Sequence, residues 1–284
     1  MNALDTLLAG LIDYAGLYPP AGLDMPTAVR NYLDYRNSEH ASVLGRFIVD
    51  VSRLDLLRAA AGQSLGEMRL SVIVPPDADG TALLDAADRG FAIESIEVKM
   101  QDRSAMERIS SALSKSAERY FEIPLVPDSC AALDAIAAVG ARAKLRMGGI
   151  TPDAFPATDA VVDTLQALAQ RNIAFKATAG LHHPIRSRHR LTYAPDSISA
   201  VMHGFLNLFT AAAIVQSGGS AADARQALDE QSPSAFHISE DGFGWRDFAW
   251  STEQIHSMRK RMFVSVGSCS FTEPIADLEA IGWL

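Results

Sequence analysis

Eight short apolar runs, each followed by a stretch with helical periodicity, constrain this chain more than any other feature of it. The runs are Leu11–Tyr18, Arg46–Val51, Met68–Val74, Ile93–Met100, Tyr120–Val126, Ala143–Met147, Ile173–Thr178 and Phe263–Gly267. Helical stretches begin near Pro26 and cover Arg53–Ala61, Thr81–Arg89, Ser104–Ala117, Cys130–Val139 and Thr158–Gln170. Pro26 suits a first helical turn, and Gly90 and Gly140 suit the residue after a last turn. Strands that alternate with helices build a parallel sheet, because a parallel pair needs a long crossover. Eight such units in 284 residues predict an α/β fold, a single (β/α)8 TIM-like barrel over residues 1–284, rather than an open sheet.

The regularity lapses after Gly180. A loop through Arg186, Arg188, His189 and Arg190 precedes a long apolar helix from about Met202 to Gln216, and a second helix covers Ala221–Glu230. Phe236–Trp245 turns at Asp241-Gly242 and reads as a β-hairpin inserted before the last strand. Thr252–Lys260 is helical, and a short helix closes the chain.

Composition narrows the function. A net charge of −9 argues against a general nucleic-acid or membrane-surface binder. Two cysteines, Cys130 and Cys269, make no disulfide framework. No secretory leader pattern opens the chain, and no apolar run reaches the ~18 residues that span a bilayer. The chain therefore reads as soluble and cytoplasmic. It needs no partner beyond a small anionic or carbonyl substrate, and a homo-oligomer is left open.

The strands themselves carry the chemistry. Side chains two apart share a face. Glu97 with Lys99, Glu122 with Tyr120, Lys144 with Arg146, and Lys176 with Thr178 place charges on one face of four consecutive strands, with apolar residues largely opposite. In a barrel the apolar face meets the helices, so the charged face points inward. The competing reading sends the long side chains past the strand ends into solvent.

Lysines that face carboxylates in a dry pocket suit a free amine that attacks a carbonyl to form a Schiff base. They equally suit a general base on a carbon acid, with the carboxylates holding a divalent cation. Lys176 lies mid-strand with Lys144 and Arg146 one strand away, and is assigned the role of amine. Glu122 would move protons, and Thr178 or His182 would orient the substrate.

Phe175-Lys176-Ala177-Thr178-Ala179-Gly180 resembles the strand around the Schiff-base lysine of deoxyribose-phosphate aldolase-type class I aldolases. Val266-Gly267-Ser268-Cys269-Ser270 is similar to the Gly-Ser loop that these enzymes use for phosphate after the last strand. The resemblance covers about a dozen residues and implies a barrel lyase that needs no metal. It departs in two respects: Lys176 is on the seventh strand and the family's lysine is on its sixth, and His182-His183-Pro184 has no counterpart there.

The surrounding residues admit several readings. His182, His183 and His203, the last with Asn207 a helical turn later, serve backbone hydrogen bonding, acid–base work, or metal ligation together with Glu122. Gly148-Gly149 and Gly267-Ser268 follow strands, and offer backbone N–H groups to an anion or simply turn the chain. The arginines at 186, 188 and 190 are a solvated loop or a lid. Cys269 is a reactive thiol or a small buried residue. A metal-dependent carbon-acid or hydrolytic enzyme using Glu122 and histidines, and a non-catalytic receptor for an anionic metabolite, both stay open beside the aldolase-like lyase.

Overall fold

A computed structural model of the chain describes residues 2–77, 89–99, 103–112, 117–125 and 129–284. Its centre is a closed barrel of parallel strands. Seven of them are consecutive: β1 (Ile12–Tyr14), β2 (Leu44–Asp50), β3 (Leu70–Val74), β4 (Ile93–Lys99), β5 (Glu118–Ile123), β6 (Arg142–Arg146) and β7 (Phe175–Thr178). Two small sheets follow. The first pairs β8 (Ser187–Arg190) with β9 (Ser199–Met202), and the second joins β10 (Phe236–Ile238), β11 (Gly242–Trp245) and β12 (Phe248–Ser251). Strand β13 (Phe263–Ser268) then closes the barrel between β7 and β1.

The described helices are α1 (Ala3–Leu8), α2 (Met25–Arg36), α3 (Leu54–Ala61), α4 (Arg103–Ala112), α5 (Cys130–Ala138), α6 (Thr158–Gln170), α7 (Phe205–Gln216), α8 (Ala221–Asp229), α9 (Thr252–Arg261) and α10 (Thr272–Ala280). Local chemistry sets their ends. Asp24 caps α2 by accepting from the Thr27 N–H at 2.8 Å, with Pro26 in the first turn, and Ser251 and Gln254 form a reciprocal box at the start of α9. The helix expected over Thr81–Arg89 lies, but for Arg89, outside the described residues. Among the described residues no helix is long and apolar enough to cross a membrane.

On the strands that carry the inward charges, the apolar residues take the opposite face. Val98, Phe121, Leu145, Phe175 and Ala177 are all buried in one continuous core. This is the face opposite the charges, as the alternation predicts.

Three expectations change. The segment around Arg186, Arg188, His189 and Arg190 is not a loop throughout, since Ser187–Arg190 pairs antiparallel with Ser199–Met202. Its residues alternate between half-buried and exposed, which a half-covered strand produces. The apolar helix starts at Phe205 rather than near Met202, because Gly204 is its extended N-terminal boundary, so His203 and Asn207 do not share a helix face. The hairpin over Phe236–Trp245 gains a third strand, with Phe243 opposite Trp250.

Candidate functional site

A cavity of about 610 Å3 opens at the carboxyl ends of the barrel strands. Ile48, Ile73, Glu97, Lys144 and Arg146 reach it from the strands. Thr178, Ala179, Gly180, Gly267 and Cys269 reach it from strand ends and the loops that follow. The β8–β9 hairpin covers one side with His189, Arg190, Tyr193 and Met202. Barrel enzymes place their chemistry at this end of the strands.

Beneath the cavity the inward charges form a network of three carboxylates and three cations. Lys176 is fully buried, and its Nζ lies 2.6 Å from Asp13 Oδ2 and 2.6 Å from Glu97 Oε1. Lys144 Nζ is 2.8 Å from Glu97 Oε2 and 3.0 Å from Glu122 Oε2. Arg146 Nε meets Glu122 Oε1 at 3.1 Å. The strand register puts Glu122 beside Lys144, and Lys144 beside Lys176. Charges this deep persist only when paired and hydrogen-bonded. Ser71 donates to Glu97 at 2.6 Å, and Asp13 accepts from Ser265 at 2.8 Å and from the Arg46 N–H at 2.8 Å.

Electrostatics fix the protonation of the deep members. Burial pushes the Glu97 carboxyl up, but Lys144 and Lys176 outweigh it and hold Glu97 well below the usual carboxylate range. Glu122 is likewise lowered, by Lys144 and Arg146 against burial. Burial pushes Lys176 down, yet Asp13 and Glu97 override it and the net shift is upward. Lys176 is therefore an ammonium clamped between two carboxylates, not an amine freed by cationic neighbours.

The histidines divide. Burial brings His182 down to about 4, with the charge of His183 acting in the same direction. Ser268 spends its hydroxyl proton on the Ser270 carbonyl at 2.6 Å, so the 2.9 Å contact to His182 is donated by Nδ1–H. That leaves Nε2 as the basic nitrogen of a neutral imidazole. His183 lies 2.5 Å from Asp277 through Nδ1 and stacks on His189 with centroids 3.3 Å apart.

Several expected site residues lie apart from the cavity. Lys99 ends β4 exposed and is not among the lining residues. His203 ties the chain together, with Nε2 donating to the Pro156 carbonyl at 2.9 Å and Nδ1 accepting from Arg186 at 3.0 Å. Asn207 accepts from the Arg186 N–H at 2.8 Å and donates to the Ala227 and Glu230 carbonyls at 2.7 and 2.8 Å. Lys176, Glu122 and Ser268 do not line the cavity themselves but contact residues that do.

The two glycine loops also differ from each other. A Cβ at Gly148 would strike the Phe155 ring, so that glycine serves packing, whereas Gly149 faces the cavity. Gly267 lines it too, close against Thr178 and Ile48. Cys269 is a buried thiol pushed up to about 11, chiefly by burial. It lies 3.8 Å from the Tyr193 hydroxyl and 3.9 Å from His182 Nδ1.

Four contributors escape the sequence reading: Asp13, Tyr18, Tyr193 and Glu273. Asp13 leaves a signal, since an aspartate inside Leu11-Ile12-Asp13-Tyr14 is as anomalous in a buried strand as Lys176 is in its own. Tyr18 donates to Asp50 at 2.9 Å, and burial raises its phenol. Tyr193 comes from the turn of the β8–β9 hairpin and Glu273 from the start of α10, and nothing local announces them. Among the described residues no group of three or more His, Cys, Asp or Glu is arranged to hold a metal ion. No family model matches the chain, and neither does any curated protein.

Proposed function

We propose that the protein is a lyase of the aldolase type, acting on a small carbonyl compound, with Lys144 as its amine. One observation carries the reading. Among the described residues Lys144 is the lysine that lines the cavity, and each carboxylate that holds it has a second cation. When Lys144 gives up its proton, Glu97 keeps Lys176 and Glu122 keeps Arg146. No buried carboxylate is then left without a cation. Lys176 has no such freedom. It serves as the fixed cation between Asp13 and Glu97. The resemblance to class I aldolases lies around Lys176 on the seventh strand; Lys144 shares with the family's lysine only its place on the sixth strand.

The chemistry then runs as follows. Lys144 Nζ attacks the carbonyl carbon, and the carbonyl oxygen leaves as water after protonation. The bond between the α and β carbons breaks, and its electron pair moves into the iminium to give an enamine. The β-hydroxyl gives its proton to a base and departs as a second carbonyl. Glu122, 3.0 Å from Lys144, and His182 Nε2 are the proton carriers. Arg146 and Arg190 at the cavity walls suit a substrate that bears a carboxylate or phosphate.

Borohydride reduction with a panel of aldehydes, ketones and 2-oxo acids, with and without Mg2+ or Zn2+, tests the proposal. A mass adduct on Lys144 is expected. An adduct on Lys176 would reverse the two lysines. If no adduct forms while Lys144→Arg still turns over, the Schiff base is wrong and chelator sensitivity should expose metal-dependent chemistry. Tight binding without turnover, weakened evenly at Lys144, Arg146 and Lys176, would mark a receptor.

A further inference from the structure

A second cavity, of about 240 Å3, lies at the opposite end of the barrel, under the amino ends of β1, β2 and β13. Its walls include Asp13, Arg46, Arg69, His256, Arg259 and Lys260. Most of these charges are already matched. Arg46 binds Glu94 at 3.0 Å and Glu118 at 2.9 Å, Arg69 binds Glu94 at 2.7 Å, and Asp13 belongs to Lys176.

Arg259 and Lys260 are the exceptions. Arg259 Nη2 donates to the Ala9 carbonyl at 2.8 Å, but its Nε and Nη1 are shut off from solvent with no hydrogen-bond partner among the described residues. Neither Arg259 nor Lys260 has a carboxylate partner among the described residues. Burial depresses the Arg259 guanidinium to about 10, with Asp13 and Tyr120 opposing, so it stays charged at neutral pH and under-compensated. A protein of net charge −9 thus keeps an unmatched cationic pocket on its floor. A cation beside a cavity with no carboxylate partner of its own offers its charge to an anion there.

We propose that this floor cavity binds a small phosphate-type oxyanion, held by Arg259 and Lys260. Lys260 offers ammonium donors and Arg259 a nearby fixed charge to a tetrahedral oxyanion, and the cavity admits a free phosphate or the phosphate end of a small monoester. The site is independent of the chemistry above the barrel. It is separated from the upper cavity by the layer of Asp13, Lys176 and Glu97.

Calorimetric titration of the full chain with inorganic phosphate and, separately, glycerol phosphate tests it, with chloride at matched ionic strength as the blank. Saturable binding of at least one probe is expected, about tenfold weaker in Arg259→Gln from loss of a charge-assisted pair, and weaker in Lys260→Gln. Because the upper cavity also offers Arg190 to an anion, heat lost in Arg190→Gln is assigned there, and only heat that Arg259→Gln and Lys260→Gln weaken is assigned to the floor. Which probe binds tells free phosphate from a monoester. Absence of saturable heat, unchanged affinity in Lys260→Gln and Arg259→Gln, or loss confined to Arg190→Gln would overturn the proposal. Lys260 is exposed, so its variant decides the matter if Arg259→Gln does not fold.

Discussion

Replacing Lys176 by methionine should damage the fold far more than the same change at Lys144, although the two lysines are neighbours on adjacent strands. Lys176 is fully buried and, among the described residues, is the only cation paired with Asp13, at 2.6 Å, while it shares Glu97 with Lys144. Removing it strands the Asp13 carboxylate in the barrel core with Ser265 and the Arg46 N–H as its remaining donors among the described residues. Breaking one partner out of a buried ion pair costs about 3–5 kcal/mol. Taking about 4 kcal/mol, at 2–4 °C for each, the melting temperature should fall by about 8–16 °C. Lys144→Met leaves both its carboxylates with another cation, so a loss of about 1–2 kcal/mol is expected. Urea unfolding of both variants and of Lys176→Met/Asp13→Asn measures the difference. The double variant should recover part of the loss, because the stranded charge is gone. The sign with pH also follows. Glu97 is held below its unfolded value, so its contribution is present above about pH 4.3 and fades as pH falls through the folded value. In Lys176→Met that depression weakens, and the gap to the parent should narrow below about pH 4.5. Equal losses in Lys176→Met and Lys144→Met would refute the distinction between clamped cation and cavity amine.

Three further expectations rest on different parts of the structure. His182 is lowered to about 4 in the fold against 6.5 free, so the unfolded chain binds the extra proton between those values; stability should decline as pH falls from about 6.5, by up to about 1.4 kcal/mol per unit, and His182→Gln should flatten the slope in urea titrations at successive pH values. Gly180 has φ +68°, and a Cβ there would sit 2.7 Å from the Phe155 ring and 3.0 Å from the Gly148 Cα; Gly180→Ala should cost about 3 kcal/mol in denaturant midpoint, whereas Gly66→Ala, with open space around it, should stay within about 0.5 kcal/mol. Gly45→Ala would push Asp13 Oδ1 and meet the Gly10 and Ile12 carbonyls at 3.1 Å, breaking the Arg46 N–H bond that orients Asp13; reduced activity together with reduced stability is expected, and an unaffected kcat would show that Asp13 does not position the lysines.

The alternation of eight apolar runs with helical stretches was enough to predict the closed barrel, because parallel strands need crossovers and a period of two assigns each residue to a side. The same period put Glu97, Glu122, Lys144 and Lys176 on the inner face, and the structure bears this out. It could not rank them by depth. Depth depends on the tilt and stagger of strands around the barrel, which no single strand records. That stagger buries Lys176 against Asp13, a residue far away in sequence, lifts Lys144 into the cavity, and leaves Lys99 outside it. His203 and Asn207 looked like site residues because polar groups near a strand end are conspicuous. The fold instead uses them to satisfy backbone groups between the β8–β9 hairpin and helices α6 to α8. The floor cavity is still less legible. Arg259 and Lys260 sit at the end of an amphipathic helix, where basic residues are ordinary, and only closure of the barrel seals a guanidinium beneath it. The strand pattern determined which residues face the axis; packing around that axis decided which of them are reachable and which are buried in pairs.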